Sequence, residues 1–304
     1  MIKMSTLQDR CSIICDRLAS AAQRAGRDPK DVTLIAVSKG RSLNDILELR
    51  SLGHKDFGEN RVEEASEKIN ATRNDSQQIT WHMIGHIQSR KARDVAENFE
   101  WVHSVESASL AEKLSRAVAA LQTAPPLSIL LECNVSGEES KYGLQANHFE
   151  DAVQWDQLCA IIESILAQPN LQVRGLMTMA PMVEAAEAAR PVFRKLRQLR
   201  DKLAKQFPVA HWSHLSMGMT DDFEVAIEEG ATMVIARILM SWVQVDRYNP
   251  VVKFIFDLTE PILAPIRRVL PQAGMFDFSP MVAILLMEFL VVPVLSTIVR
   301  SLFR

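Results

Sequence analysis

Lys39 stands directly after the apolar run TLIAVS (33–38) and directly before Gly40. A lysine at the dry end of such a run is partly desolvated, which disfavours the ammonium and frees the amine that adds to an aldehyde carbon. The other reading is an ordinary exposed loop lysine; with 34 Lys and Arg in the chain, position alone does not choose between them. Far along the chain, the loop SMGMT (216–220) is short, carries hydroxyls at Ser216 and Thr220, and centres on Gly218. Backbone N–H groups at a junction of this kind can cradle a phosphate, although most such loops are plain connections. Other polar groups also close apolar runs. Asn60 follows FGE, His82 and Gly85 lie in WHMIG (81–85), and His86 comes just after. A packed, hydrogen-bonded histidine is the competing reading for each imidazole. Cys11, Cys15, Cys133 and Cys159 form no CxxC pair and do not cluster with histidine, so no metal site is expected.

The elements that must position these groups alternate regularly. A helix over 5–25 is followed by strands expected at 33–38, 56–60, 79–85, 100–105, 127–135, 171–179, 211–218 and from 231. Helices are expected between them at 42–52, 61–69, 89–99, 107–121, 148–167, 184–206 and 221–229. Seven strand–helix units and an eighth strand over about 235 residues match the rhythm of a (β/α)8 barrel; an open doubly wound sheet is the rival. In a barrel, reactive groups sit at the C-terminal ends of the strands, where Lys39, Asn60 and the 216–220 loop fall.

Net charge is −3, so nothing global points to a nucleic-acid partner. The charge is uneven: residues 235–304 carry seven basic and five acidic side chains, for a net +2. The amino terminus has no long apolar run of the secretory kind, and free thiols fit a cytoplasmic setting. Residues 281–299 form a 19-residue apolar stretch interrupted by Glu288 and Pro293. That is close to the length a helix needs to cross a bilayer, and a buried core helix is the alternative.

Taken together, LIAVSK, FGENRVEE, WHMIGHIQSRK, HSV, the N-x-S-x-E-x-S-K-x-G string of 134–143, RGLM and SMGMTDDFEVAIEEGATMV resemble the pyridoxal phosphate homeostasis protein family (YggS/PROSC type) over residues 5–234. The resemblance implies a TIM-like (β/α)8 barrel of the type III pyridoxal phosphate fold, similar to the barrel half of alanine racemase. It implies that Lys39 holds pyridoxal 5′-phosphate covalently as a Schiff base, with Ser216, Gly218 and Thr220 on the phosphate side. Asn60, His82 and Gly85 match motif positions lining the mouth. It also implies cofactor handling inside the cell, with cofactor-accepting apoenzymes as partners and no established turnover. An amino-acid racemase is the alternative. Such an enzyme needs a second acid/base, typically a tyrosine brought by a second β-domain. This chain has two tyrosines, Tyr142 and Tyr248, and no β-rich second domain.

After GATMV (230–234) the family pattern continues R-I-G-[TS]-x-x-F-G, whereas this chain reads IARILMSW. Arg237 comes late for the family arginine and is expected to face the other way. From about 235 the sequence resembles the YggT family of small membrane proteins, without most of that family's first membrane helix. The chain therefore reads as two joined parts, 1–234 and a membrane-associated helical tail, 235–304. Residues 278–300 would anchor a cytoplasmic barrel to the inner membrane. The last barrel strand is expected to be incomplete, or replaced by residues 231–240, at the join, with an open barrel edge and a weakened phosphate cup as the consequences. A membrane-tethered protein with an impaired cofactor site is the third reading.

Overall fold

A computed structural model describes residues 6–73, 78–122, 125–183 and 185–239. The chain divides into two compact units, Met1–Met240 and Ser241–Arg304. The second unit, with the expected hydrophobic helix, lies outside the described residues. Among the described residues, no helix is long and apolar enough to cross a membrane.

The first unit opens with α1 (Leu7–Arg24), started by a capping box in which Thr6 and Asp9 satisfy each other's backbone N–H groups. Ser42 and Asp45 repeat the device at α2 (Leu43–Ser51), and Ser107 caps α5 (Ala108–Ala120). Such caps are worth about 0.5–2 kcal/mol each and fix where these helices start. The remaining helices are α3 (Val62–Thr72), α4 (Ala92–Asn98), α6 (Ala152–Leu166), α7 (Arg190–Gln206) and α8 (Phe223–Glu228).

The strands are β1 (Thr33–Val37), β2 (Asp56–Glu59), β3 (Thr80–Met83), β4 (Trp101–Val105), β5 (Leu127–Asn134), a two-residue β6 (Leu144–Gln145), β7 (Leu171–Met177), β8 (His214–Ser216) and β9 (Met233–Ala236). All recorded pairings are parallel. The order β4-β3-β2-β1-β9-β8-β7-β5 closes on itself because β4 also pairs with β5. The result is a closed eight-stranded barrel, with β6 a short addition to β5.

β9 carries the correction to the sequence reading. It pairs with β1 at four positions, from Thr33↔Met233 to Ala36↔Ala236. On its other side, Ser216 is paired with Met233 and the Ile235 N–H donates to the Gly218 carbonyl at 3.0 Å. The expected open edge is absent. A parallel ladder needs only backbone N–H and C=O groups, and residues 233–236 (MVIA) are compatible with a buried strand whatever family residues they replace.

Side chains alternate along each strand between two cores. Ile35, Leu130, Met177 and Met233 meet inside the barrel, with Trp101 and Ile235 packed against them. Leu34, Ala36, Leu131, Leu176 and Val234 belong to the larger core that includes the helices. These residues give the lumen an apolar layer beneath the strand ends. The expected strand and helix positions hold, and most elements are shortened by one to a few residues at their ends.

Candidate functional site

The peptide groups on either side of Lys39 are held by one cluster. Lys68, on α3, is 8% exposed. Its ammonium donates to the Ser38 carbonyl, to Glu59 Oε1 and to Glu64 Oε1, each at 2.7 Å. The Ser38 hydroxyl donates to the same Glu59 oxygen at 2.7 Å, and the Gly40 N–H donates to Glu64. All three ammonium donors are used. Burial pushes Glu59 up, against Lys68 and Ser38. Burial also acts to raise Glu64, but Lys68, the Gly40 N–H and the charge of Lys39 outweigh it and hold it below the usual carboxylate range. Lys39 is itself exposed, not desolvated as the sequence suggested. It stands beyond the last strand residue, where no side chain of the lumen covers it, and Gly40 turns the chain away with φ +67°.

Asn60 and Gly85 are brought together. A Cβ on Gly85 would lie 2.4 Å from the Asn60 carbonyl oxygen, so glycine is required for the two strand ends to approach. The Gly85 carbonyl accepts from the Ser104 hydroxyl at 2.6 Å. His82, by contrast, does not line the mouth. It is 1% exposed and belongs to a file through the lumen. Its Nε2 is 3.1 Å from Asp56 Oδ1, and its Nδ1 is 3.0 Å from His103 Nε2. His103 Nδ1 is in turn 2.8 Å from Ser216 Oγ. Burial, followed by the charges of His82 and His214, holds His103 well below the usual imidazole range. Neutral His103 therefore donates through one nitrogen and accepts through the other.

That file also relocates Ser216. Its hydroxyl is fully buried and engaged by His103, so it anchors β8 from inside and is not presented to the mouth. Gly218 (φ +92°) is needed for packing: a Cβ there would lie 2.5 Å from the Ala226 side chain and 2.9 Å from Phe223. Thr220 Oγ1 accepts the Arg237 N–H at 3.1 Å, tying the loop to the end of β9. The N–H groups of Gly218, Thr220 and Asp221 find no acceptor among the described residues. Arg237 is exposed. It follows Met233 and Ile235 at two-residue steps, and both of these face the lumen. It therefore shares their face, contrary to the sequence expectation.

Asn134 organises the loop after β5. Its Oδ1 accepts from Ser136 Oγ at 3.0 Å and from the Gly137 N–H at 2.9 Å. Two places earlier on the same strand, Glu132 is 7% exposed. Burial, followed by the Glu106 carboxylate, raises its carboxyl to about 7 against the pull of Lys141. Because the folded chain holds this proton more tightly than the unfolded chain, stability is full below the ordinary value of 4.5 and is lost as pH rises through about 7. The loss above that pH amounts to about 3 kcal/mol at most. Glu132→Gln is expected to flatten this dependence, so that urea midpoints at pH 5 and pH 8 converge. An unchanged pH slope would remove Glu132 from the account.

Two surface hollows lie away from the strand ends. One, of about 580 Å³, is lined by Ser66, Arg73, Asp94 and Asn98 among others. The second, of about 460 Å³, lies at the opposite end of the barrel, between Cys15, Pro29, His54 and Asp56. Neither includes a strand-end group described above.

The family model of the alanine racemase N-terminal domain matches residues 14–236. A pyridoxal phosphate homeostasis protein of Pseudomonas aeruginosa is 41% identical over 231 residues, covering 76% of this chain and 93% of that one. The chain belongs to the pyridoxal phosphate homeostasis protein family. A solved relative, PipY of Synechococcus elongatus with PLP bound, is 34% identical, with a TM-score of 0.60 over 74% of this chain and 99% of that one. Alanine racemase of Clostridium difficile 630 is 13% identical, with a TM-score of 0.57 over 76% of this chain and 56% of that one; that likeness concerns the fold alone. A second family model, CCB3/YggT, matches residues 225–298. It begins within α8 and overlaps the last barrel strand.

Within this member of the pyridoxal phosphate homeostasis protein family, the sequence reading missed Glu59, Glu64, Lys68, His103 and Glu132. A signal existed for three of them. Glu64 and Lys68 are spaced i,i+4 on one helix face, right after a strand ending in Glu59. That is the pattern of a charge cluster under a strand end. Nothing local marks His103 as a partner of Ser216, 113 residues away.

Proposed function

We propose that the barrel of this chain, residues 1–234, binds pyridoxal 5′-phosphate and takes part in keeping that cofactor in supply inside the cell. The observation that carries the reading is Lys39 at the end of β1, with both flanking peptide groups clamped by the Glu59–Lys68–Glu64 cluster. The site fits the group. A flat ring suits the apolar floor of Ile35, Leu130, Met177 and Met233. A phosphate suits the free N–H groups of the 217–222 loop. The relative named for PLP homeostasis and PipY with PLP bound support the assignment.

Lys39 is the residue that would hold the cofactor covalently, and Gly218 and Thr220 would offer backbone N–H groups to its phosphate. Asn60 and Gly85 shape the mouth beside Lys39; His82 and Ser216 support it from within. The cofactor supplies an aldehyde carbon for a primary amine and a phosphoester dianion. This chain's part is to hold the amine in place, to present the N–H groups and to keep the floor dry. Cofactor-accepting apoenzymes are the partners this role requires. Residues 235–304, similar to CCB3/YggT, would tether the barrel to the inner face of the cytoplasmic membrane.

Titration of the protein with pyridoxal 5′-phosphate tests the reading. A visible absorption band that survives dialysis is expected, together with competition by inorganic phosphate. Pyridoxal without the phosphate is expected to bind at least a hundredfold more weakly, since each charge-assisted hydrogen bond it forgoes is worth about 1.5–3 kcal/mol. No band at excess cofactor, or equal affinity for the two compounds, would overturn the proposal.

A further inference from the structure

Glu132 lies two residues beyond Leu130, on the lumen face and toward the mouth end of β5. β5 stands diametrically across from β1, four strands away in either direction around the ring. Ile35 and Leu130 share the core of the lumen. Moving toward the mouth by two-residue steps, β1 presents Val37 and then Lys39, and β5 presents Glu132. The lysine and the carboxyl thus border one apolar floor from opposite sides.

Glu132 is 7% exposed as a residue, and no described residue donates a hydrogen bond to its carboxyl. A buried polar group ordinarily has a partner. Each charged group that acts on it also has another partner. Glu106, at the end of β4, pairs with His86 at 3.3 Å, and the Lys141 ammonium donates to the Ala180 carbonyl at 3.4 Å. His86 in turn stacks on Tyr142, ring centres 4.4 Å apart. Asn134, the next lumen-facing residue, spends its side chain on the 136–143 loop. An anion is repelled by Glu132 and Glu106 together. The complement to this position is a cationic hydrogen-bond donor.

We propose that Glu132 binds the ammonium group of a primary amine, a second ligand entering the mouth opposite Lys39. An ammonium brings one positive charge and three donors, and charge-assisted hydrogen bonds to a desolvated carboxylate are the strong ones. When the ammonium binds, the carboxyl releases its proton to solvent. The purpose of such a site rests on the reading of Lys39 given above: once the bound ammonium has passed one proton to the Glu132 carboxylate, the free amine is the class of nucleophile that would take the aldehyde carbon, with the Lys39 amine as the leaving group. A free amino acid and a lysine side chain share this chemistry.

The experiment has two arms. In the unloaded protein carrying ¹³C-carboxyl glutamate, the signal lost in Glu132→Gln is that of Glu132. Ethylammonium at pH 7 is expected to move this signal saturably to its ionised position, and tetramethylammonium, which has no N–H, is not. In the loaded protein, visible absorbance is followed while glycine or Nα-acetyl-lysine is added. In Glu132→Gln the half-saturating concentration of whichever amine is the natural class is expected to rise at least tenfold, with cofactor affinity kept within twofold.

A ¹³C signal indifferent to ethylammonium would overturn the proposal. So would a Glu132→Gln variant that loses cofactor affinity while its amine dependence is unchanged, because Glu132 would then belong to the cofactor's own site. If the wild-type protein never develops the visible band, the reading of Lys39 fails, and the unloaded arm still decides the role of Glu132.

Discussion

Lys39→Ala is expected to abolish the dialysis-resistant absorbance and to leave the fold unchanged. The side chain is exposed and makes no recorded hydrogen bond of its own, so its removal falls within about 0.5 kcal/mol of neutral, as for surface substitutions generally. What disappears is the covalent attachment. The lumen floor and the N–H groups of the 217–222 loop remain, so the variant should still bind the cofactor reversibly, with exchange fast enough for dialysis to empty it. Lys39→Arg is expected to behave the same way, because a guanidinium stays protonated and does not add to an aldehyde. Thermal melts and absorbance after dialysis check both variants. A wild-type band in Lys39→Ala would transfer the role to another amine, and Lys141, on the rim, would be the next to examine.

Lys68→Met should have the largest effect on stability. Its ammonium satisfies Ser38, Glu59 and Glu64 at once. Glu59 is fully buried, and its Oε2 has no partner even with Lys68 present. Removing one member of a buried pair and stranding the other costs about 3–5 kcal/mol, roughly 10 °C of melting temperature for a domain of this size. Burial already pushes Glu59 up against the pull of Lys68, and without Lys68 it rises further. A raised carboxyl stabilises the folded state at low pH and loses that contribution as pH climbs. The variant should therefore lag the wild type more at pH 8 than at pH 5. The double variant Lys68→Met with Glu59→Gln should regain much of the loss, because no buried charge is stranded. Urea denaturation at the two pH values decides this; a single variant within 0.5 kcal/mol of wild type at both would sink the account. The same loss frees the Ser38 carbonyl, so cofactor retention should fall even where the protein remains folded.

These two residues illustrate how unevenly the site was legible. Lys39 could be picked out because a strand end is a local pattern: an apolar run, a lysine, a glycine. Lys68 was read only as part of a helix. Its importance comes from meeting residues of β1 and β2 through α3 packing, and spacing along one helix does not report which strand end lies beneath it.

The sequence alone determined the alternation of strands and helices, the helix start at Ser42, and the strand-end position of Lys39, Asn60 and the 216–220 loop. Each of these depends on side-chain period or capping within a few residues, where the physics is local. Only the tertiary structure decided that β9 closes the ring despite its altered residues, since backbone pairing ignores side-chain identity. It turned His82 and Ser216 inward into one file with Asp56 and His103, because filling a closed lumen is a matter of which strands face each other. It also set Glu132 across from Lys39 without a partner. Burial and the absence of a donor are properties of a neighbourhood assembled from distant parts of the chain, and no short stretch of sequence contains them.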